Sequence, residues 1–387
     1  MSANPEIVVI GGGVIGLACA FYIARDVYDG HAAGKVIVLE REIVTGAGAT
    51  GKNAGGIRAQ FSSGVNIEFS QRSIEIFENF REETGQSLFF NQCGYLFLLS
   101  TQEQVDRFDR DAELQRSMGV EVDFLSPQEI RKLAPALRTD DIIRANFSRR
   151  DGVVDPGDLT LGYYNAAIKL GVKIVTDHNV TGFEMVGDVI KGVKTDKAEF
   201  PCETIVNAAG PQSKQIAKMA GYDLKVEPVR RQIVTTGPLD FVNREFPMVV
   251  DVNTGLYCHR ETPGLLLGWA DPATQPGNDE SPDSDYTDEI LMKGMERIPL
   301  LEDAEVGRSW AGLYDTTPDH NAIIGNAPGL NGMILVNGFS GHGLMHAPAA
   351  GMVVADLVMK RETRLDLSGL SPERFNKGAL VHETNVI

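Results

Sequence analysis

Three glycines and one acid near the start of the chain have the types and spacing of a dinucleotide-binding site. Gly11, Gly13 and Gly16 form the pattern G-x-G-x-x-G directly after the apolar run Ile7–Ile10, and Glu40 follows a second apolar run. Such glycines permit a tight turn, backbone approach to a pyrophosphate and close packing of a helix on a strand. An acid at the end of the second strand can accept hydrogen bonds from a ribose hydroxyl. The pattern leaves open whether the dinucleotide is NAD or FAD.

A second glycine-rich stretch leads to an arginine that suits a carboxylate ligand. Residues 45–61 read TGAGATGKNAGGIRAQF, and an amphipathic pattern follows from about Val65 to Glu83. A flexible linker is the simpler interpretation, but linkers seldom run directly into such a helix. We therefore predict that this backbone lies against a flat ligand. The planar guanidinium of Arg58 would bind a carboxylate, and an exposed surface arginine is the alternative.

Composition and charge exclude several classes of function. The chain has 387 residues, and 36 Lys and Arg against 53 Asp and Glu give a net charge of −17, which disfavours broad binding to nucleic acid or anionic membranes. Cys19, Cys93, Cys202 and Cys258 are far apart and form no C-x-x-C pair, which suits a reducing compartment and predicts no metal site. No apolar run approaches the length of a membrane span, and core structure begins by residue 7. These features predict a cytoplasmic protein.

The elements that position these residues indicate a discontinuous nucleotide domain. After the first strand–helix–strand unit, a buried parallel-strand pattern returns only at Thr204–Ala209. From Lys225 onward the chain alternates as in a mostly antiparallel sheet, and the acidic, proline-containing stretch 271–288 is predicted to be an exposed loop. The predicted fold class is α/β with two domains: a Rossmann-like domain built from a discontinuous chain, and a mostly antiparallel-sheet domain.

Five segments together resemble the glycine oxidase and sarcosine oxidase family of FAD-dependent amine oxidoreductases, in the D-amino-acid oxidase-like superfamily. In chain order they are IVVIGGGVIG, GATGKNAGGIR, TIVNAAG, WAGLYDTTPDHNAIIG and NGFSGHGLMHAPAAG. The chain is particularly similar to β subunits of sarcosine oxidase and of dye-linked L-proline dehydrogenase through GIRAQF, GYLFLL and GFSGHGLM. The resemblance implies FAD rather than NAD as the cofactor.

The family's architecture implies a division of the chain into two domains. Residues 1–85, 150–224 and 319–387 would form the FAD-binding domain, and residues 86–149 and 225–318 the substrate-binding domain. The implied reaction is transfer of a hydride from a C–H beside an amine nitrogen to flavin N5, which gives an imine.

The glycine motif and the resemblance together give two sets of site residues. Catalytic candidates are Arg58, Tyr257 and Tyr314 for the substrate carboxylate, and His342, which either donates to the flavin or packs as a cap. The last helix would aim its first backbone N–H groups at the pyrimidine edge of the flavin. Cofactor-binding candidates are Gly11, Gly13, Val14, Ile15, Gly16, Glu40, Arg41, Thr50, Gly51, Lys52, Asn53, Gly55, Gly56, Val180, Ala209, Gly210, Gly312, Gly338, Gly341, His342, Gly343, Leu344 and Met345.

Several departures from the family's patterns carry predictions. Gly312 stands where monomeric sarcosine oxidases have a flavin-linking cysteine, and residues 51–53 lack the linking histidine of dimethylglycine dehydrogenases. FAD should therefore be bound non-covalently. Met345 replaces the lysine of the G-H-G-x-K motif, which removes one carboxylate contact. Leu266 aligns with the lysine credited with oxygen activation, which predicts a slow reaction with O₂.

The resulting hypothesis is an FAD-dependent oxidoreductase of a small secondary or N-substituted amino acid, such as sarcosine, proline or an N-methyl amino acid. Two alternatives stay open: a primary-amine oxidase of the glycine or D-amino-acid type, and a non-catalytic flavoprotein subunit for assembly or structure. The expected partners are the amino-acid substrate, O₂ or another electron acceptor, and a partner subunit, with no nucleic acid and no membrane span.

Overall fold

A computed structural model describes residues 4–378 and 380–386, which include the strands β1 to β20. In the first half they are β1 (Ile7–Ile10), β2 (Val36–Leu39), β3 (Gly56–Ile57), β4 (Phe90–Asn91), β5 (Tyr95–Leu99), β6 (Asp123–Leu125), β7 (Arg144–Ser148), β8 (Gly152–Val154), β9 (Lys173–Val175) and β10 (Val180–Val186). In the second half they are β11 (Val189–Thr195), β12 (Glu199–Pro201), β13 (Thr204–Asn207), β14 (Glu227–Thr236), β15 (Met248–Asp251), β16 (Leu256–Glu261), β17 (Gly264–Trp269), β18 (Val306–Thr316), β19 (Ile323–Asn326) and β20 (Met333–Asn337).

The helices of the fold are α1 (Val14–Asp26), α2 (Gly64–Glu78), α3 (Phe80–Thr84), α4 (Gln102–Ser117), α5 (Pro127–Leu133), α6 (Pro156–Lys169), α7 (Ser213–Met219), α8 (Ser284–Arg297), α9 (Gly343–Val358) and α10 (Arg374–Lys377). Helices α1, α4, α6 and α9 begin and end close to the predicted positions, whereas α7, α8 and α10 were not predicted. Short 3₁₀ helices lie at Ala49–Lys52, Gly210–Gln212 and Pro299–Leu301.

Two local predictions were wrong in part. The single helix expected from Val65 to Glu83 is interrupted at Asn79, whose backbone leaves helical geometry (φ −113°, ψ 25°), so α2 and α3 are separate. The loop predicted for 271–288 ends early, because the Asp283 side chain accepts hydrogen bonds from the backbone N–H groups of Asp285 and Tyr286 and starts α8 there. An acidic residue that suggested solvent exposure in the sequence acts here as a helix cap.

A six-stranded sheet in the order β19-β20-β13-β1-β2-β9 forms the nucleotide part of the fold. All pairs are parallel except β19 with β20. Strand β1 is buried along its whole length, as expected for a central strand made of Ile and Val. Because β1 lies between β2 and β13, the turn after Ile10 meets the loops that follow Leu39 and Asn207 at one edge of the sheet. Ligands of such sheets bind at this edge.

An eight-stranded sheet in the order β18-β14-β17-β16-β15-β5-β7-β6 forms the second part. Its strands pair antiparallel except for β5 with β15. One face carries an apolar cluster that includes Tyr95, Met248, Tyr257 and Leu266, with Ala54 from the glycine-rich stretch packed on it. This packing places the glycine-rich stretch between the two large sheets. Two smaller sheets, β10-β11-β12 and β3-β8-β4, complete the fold.

Helices α1 and α9 pack closely against each other, and their first turns lie side by side. A side-chain carbon at Gly351 of α9 would lie 2.6 Å from the Tyr22 ring and 2.9 Å from the Ala18 backbone of α1. At their starts, a side chain at Gly343 would contact Ile15 at 3.9 Å. Both helix N-termini therefore open on the same space, where their N–H groups can face an anionic or electron-rich ligand.

The observed sheets confirm the predicted fold class of a parallel, discontinuous nucleotide unit with a mostly antiparallel sheet beside it. The domain boundaries themselves stay a prediction. Across the part of the chain that the structure describes, every helix is too short or too polar to cross a bilayer.

Candidate active site

The turn after β1 has no room for side chains at two of its three glycines. Gly11 has φ +109°, and a Cβ atom there would lie 2.4 Å from the Ala208 carbonyl oxygen. At Gly16 a Cβ atom would lie 1.9 Å from the Gly11 carbonyl oxygen, so α1 approaches the turn at backbone contact. Glycine is the residue that permits both the positive φ and the contact.

Glu40 and Thr50 close this turn from the other side. One Glu40 carboxylate oxygen accepts from the Gly12 N–H at 2.7 Å, and the other accepts from the Glu42 N–H at 2.9 Å. Thr50 accepts from the Val14 N–H at 3.2 Å through its hydroxyl. The N-cap residue of α1 is Gly13, which supplies no side-chain cap, and the first turn carries no acidic residue. Apart from the Val14 N–H, the positive end of α1 is therefore left for a ligand.

An open cavity of about 1030 Å³ runs from this turn to the start of α9. It lies between the parallel sheet edge and the face of the eight-stranded sheet, which suits a long, partly flat ligand. Sixteen of the predicted residues line it: Gly11, Gly13, Val14, Ile15, Glu40, Thr50, Lys52, Asn53, Ala209, Gly210, Tyr257, Gly312, Tyr314, Gly341, Gly343 and Leu344.

Two smaller cavities adjoin the large one and hold most of the other predicted residues. At the nucleotide end, Arg41 and Val180 line a cavity of about 510 Å³ that shares Gly11 and Ala209 with the large cavity. At the other end, a cavity of about 420 Å³ shares Asn53, Tyr257, Tyr314 and Gly341 with it, and is also lined by Gly56, Arg58, His342 and Met345.

Four predicted glycines shape the backbone without lining any of these cavities. A Cβ atom at Gly51 would lie 2.6 Å from the Gly46 carbonyl oxygen, and one at Gly55 would lie 2.3 Å from the Val154 carbonyl oxygen. A Cβ atom at Gly338 would lie 2.4 Å from the Thr317 side chain, and the fourth of these glycines is Gly16 in the turn after β1. The structure thus separates these glycines from the residues that can contact a ligand directly.

Arg58 is a buried positive charge at the end of the small cavity. Its side chain is 1% exposed and lies 3.8 Å from the centroid of the Phe61 ring. Nη1 donates to the Gln60 carbonyl at 2.6 Å, and Nη2 donates to the Asn385 carbonyl and lies 3.4 Å from His342 Nε2. Among the described residues Arg58 forms no ion pair, and its Nε has no partner. Burial lowers the pKa of Arg58, and the nearby Glu383 and Asp151 carboxylates oppose this effect only in part, so the site still favours an anionic ligand.

Tyr257 and Tyr314 line both the large and the small cavity, and Tyr257 is buried while Tyr314 is partly exposed. Burial raises the pKa of each phenol, so both stay protonated and can donate a hydrogen bond. The Tyr257 ring lies against Gly268 of β17, where a Cβ atom would come within 2.1 Å of it. Glycine at position 268 therefore leaves the space that the Tyr257 ring occupies.

His342 lies directly beside Arg58 at the start of α9. Its ring meets Phe61 edge-on with centroids 4.8 Å apart. Burial, reinforced by the Arg58 charge, holds the pKa of His342 well below its usual range, so the imidazole is neutral. Nε2 faces Arg58 and acts as an acceptor there, which fixes the other ring nitrogen as the protonated one.

The positions at which this chain departs from the family's patterns lie in different parts of the site. A Cβ atom at Gly312 would lie 2.9 Å from Cβ of Lys52, and the Lys52 ammonium pairs with Glu280. Leu266 is buried in the apolar cluster of the eight-stranded sheet, and Met345 lines the small cavity.

The sequence reasoning missed four groups that the structure brings to the cavities. Tyr95 and Met248 lie side by side in the parallel pair β5–β15 and line the small cavity. Arg231 lines the large cavity opposite Gly312 in the β14–β18 pair. The Asn385 carbonyl reaches Arg58 from far along the chain. Tyr95 and Met248 read as ordinary core residues in the sequence, and a backbone carbonyl leaves no sequence signal.

The comparisons with known proteins identify the family. A family model described as DAO, FAD dependent oxidoreductase, matches residues 6–357. The chain belongs to this family of FAD-dependent oxidoreductases. The crystal structure of L-proline dehydrogenase from P. horikoshii is similar with a TM-score of 0.90 and 34% identity, over 98% of this chain and 100% of that one.

Two curated relatives agree with this assignment. FAD-dependent oxidoreductase domain-containing protein 1 of Xenopus laevis is 30% identical, covering 99% of this chain and 85% of its own length. The sarcosine oxidase subunit beta of Arthrobacter sp is 28% identical, covering 98% of this chain and 95% of its own length. The resemblance seen in the sequence motifs is confirmed, and the cofactor of this DAO-family chain is FAD.

The cavity residues fit that cofactor. The glycine turn and the uncapped start of α1 suit a pyrophosphate, and Glu40 stands where a ribose hydroxyl can reach a carboxylate. The flat space beside Gly312, Tyr314 and Gly341 would accept the flavin ring, with the N–H groups at the start of α9 at one edge. These individual contacts are assignments that we propose from the geometry.

We predict that unfolding the chain releases FAD as a free, chemically unchanged molecule. Gly312 and Asn53 carry no nucleophile, and the ammonium of Lys52 is engaged with Glu280. After acid precipitation, all of the flavin absorbance should be found in the supernatant. Flavin fluorescence that stays with the washed pellet, or with the protein band on a denaturing gel, would contradict the prediction and direct attention to Lys52.

Proposed function

We propose that this DAO-family oxidoreductase oxidises the C–N bond of a small secondary or N-substituted amino acid. The observation that carries the proposal is the buried guanidinium of Arg58, which forms no ion pair among the described residues, in a small cavity that joins the large one. A charge in such a place is stabilised by an anion, and a carboxylate matches the planar fork of a guanidinium.

The remaining walls of the small cavity suit the rest of such a substrate. The hydroxyls of Tyr257 and Tyr314 are protonated donors that can reach a second carboxylate oxygen. Met248, Met345 and the Tyr95 ring provide apolar surface for an N-methyl group or a pyrrolidine ring, and they exclude water around the ion pair. A volume of about 420 Å³ limits the substrate to a small molecule.

The chemistry itself belongs to the cofactor, and the chain supplies orientation. The chemistry that FAD would supply when bound is acceptance of a hydride from the carbon next to the amine nitrogen, which would give an imine that hydrolyses or cyclises. Arg58 and the tyrosines would hold the carboxylate so that this C–H faces the large cavity. Similarity to an L-proline dehydrogenase structure and to a sarcosine oxidase subunit beta supports a secondary amine over a primary one.

An anaerobic substrate panel tests the proposal directly. The yellow protein should lose its long-wavelength flavin absorbance with sarcosine, L-proline or another N-substituted amino acid, and much more slowly with glycine or D-alanine. Bleaching by the primary amines alone would replace the proposal with a glycine or D-amino-acid type activity. Failure of every amino acid, in protein that dithionite still reduces, would instead support a non-catalytic flavoprotein subunit.

Replacing Arg58 should damage substrate use strongly. Loss of a buried ion-pair partner costs about 2–5 kcal/mol, so Arg58→Ala should lower kcat/KM for the best amino acid by roughly 30-fold to several thousand-fold. Arg58→Lys should recover part of this, because an ammonium cannot form the bidentate pair. Arg150→Ala removes a surface arginine paired with Glu78 and is the matched control, expected to leave kinetics unchanged. Unchanged kinetics in Arg58→Ala would remove Arg58 from the substrate site.

We further propose that the physiological electron acceptor is not O₂. Electron transfer to O₂ produces superoxide, which a fixed positive charge stabilises strongly in a dry site. Leu266 and Met345 carry no charge, and the Lys52 ammonium is neutralised by Glu280. The Arg58 charge would be paired with the substrate carboxylate. Substrate-reduced enzyme should recover its absorbance about tenfold or more faster with dichlorophenolindophenol than with aerated buffer, a difference worth about 1.4 kcal/mol.

Recovery in aerated buffer as fast as substrate turnover would contradict this proposal. In that case Arg231→Leu would test whether the arginine opposite Gly312 supplies the charge. A partner subunit that passes electrons onward stays a proposal, as does a cytoplasmic location, which the four free cysteines favour because they suit a reducing compartment.

A further inference from the structure

The segment Val381–Asn385 lies against the loop that carries Arg58. Its Glu383 is 2% exposed, and the carboxylate accepts from the Ser62 N–H at 2.9 Å and hydroxyl at 2.7 Å. It also accepts from the Ser63 N–H at 3.1 Å and hydroxyl at 2.8 Å, and from the Asn66 amide at 3.1 Å. These hydrogen bonds join the Glu383 carboxylate to residues more than 300 positions earlier in the sequence.

These hydrogen bonds keep Glu383 ionised without a cationic partner. Burial by itself raises the pKa of this carboxyl, but the bonds from Ser62 reverse the effect and hold the pKa below its usual range. Among the described residues no lysine or arginine forms an ion pair with Glu383. N–H and O–H donors supply its hydrogen bonds, and the nearby Arg58 charge adds to the lowering of its pKa. A buried carboxylate satisfied in this way fixes its position closely.

Glu383 in turn fixes the backbone of Asn385. The Asn385 N–H donates to the Glu383 carboxylate at 2.9 Å, and the Asn385 side-chain amide donates to Asp111 at 3.2 Å. The Asn385 carbonyl is then held toward Nη2 of Arg58. The guanidinium is thus held at Nη2 by Asn385 and at Nη1 by the Gln60 carbonyl.

We propose that Glu383 is a positioning residue that orients the Arg58 guanidinium through the Asn385 carbonyl. This inference rests on the proposed function, in which Arg58 binds the substrate carboxylate. A carbonyl orients the guanidinium without cancelling its charge, whereas a carboxylate in the same place would form a salt bridge and compete with the substrate. Since His342 Nε2 also accepts at Nη2, the donors left for the ligand are Nε, which has no partner among the described residues, and the second hydrogen of Nη1.

The test compares two probes of the same shape, pyrrole-2-carboxylate and pyrrole-2-carboxamide, which differ in charge and in one oxygen replaced by an NH₂ donor. Neither carries a hydrogen on a saturated carbon beside the nitrogen, so both can be titrated against the FAD absorption spectrum without turnover. In the unaltered protein the carboxylate should bind at least about tenfold more tightly, because a charge-assisted bond outweighs a neutral one. Equal binding of the two probes would defeat the assigned role of Arg58 itself, separately from that of Glu383.

Removal of the Glu383 carboxylate should weaken the carboxylate probe selectively. In Glu383→Ala its Kd should rise about tenfold, the carboxamide Kd should stay within about twofold, and substrate KM should rise more than kcat falls. Glu383→Gln retains the volume and part of the bonding, so its effect should be intermediate. Thr384→Ala changes a neighbouring exposed side chain and is the matched control, with both Kd values unchanged.

A purely structural role predicts a different result. A lower unfolding temperature in Glu383→Ala with an unchanged ratio of the two Kd values would overturn the proposal. If Glu383→Ala does not fold, Ser63→Ala removes a single hydrogen bond to the carboxylate and should raise the carboxylate Kd about twofold to fourfold. If the ratio of the carboxylate Kd to the carboxamide Kd is unchanged in Ser63→Ala, the proposal is overturned.

Discussion

The positive charge of Arg58, taken out of water without a carboxylate partner, is the constraint to which the site is built. Moving a guanidinium into a protein interior costs several kcal/mol unless dipoles or an opposite charge compensate it. Here two backbone carbonyls, the Phe61 ring and the charges of the nearby Glu383 and Asp151 carboxylates compensate it in part, and a neutral His342 lies beside it. The part of the cost that remains is available to strengthen the binding of an anion, which gives a carboxylate substrate both affinity and orientation.

The neutrality of the neighbouring side chains makes that single charge effective. Burial raises the pKa of Tyr257 and Tyr314 and lowers that of His342, so none of the three adds a charge near Arg58 at neutral pH. The overall net charge of −17 says nothing about this local arrangement. A chain that repels anions at long range can still bind one in a dry cavity, because short-range interactions in low dielectric exceed screened ones.

At the opposite end of the cavity the constraint is space rather than charge. Gly11 lies against the Ala208 carbonyl and Gly16 against the Gly11 carbonyl, so backbone atoms take positions that side chains would otherwise fill. This contact sets where α1 begins, and the close packing of α9 on α1 sets where the last helix begins. The cofactor cavity is therefore bounded by backbone groups at both helix starts, whose dipoles favour phosphate and electron-rich rings.

The sequence by itself determined the elements whose signals are local: the glycine turn, the buried strands, the parallel nucleotide sheet and the family with its cofactor. Arg58 could be singled out because glycine spacing and guanidinium chemistry are both visible in one stretch. Tertiary structure alone decided that Tyr95 and Met248 face the small cavity, since strand alternation does not say which face meets a ligand. It also decided that the Asn385 carbonyl reaches Arg58. A backbone group carries no residue-type signal, and only folding brings residues so distant in sequence into contact.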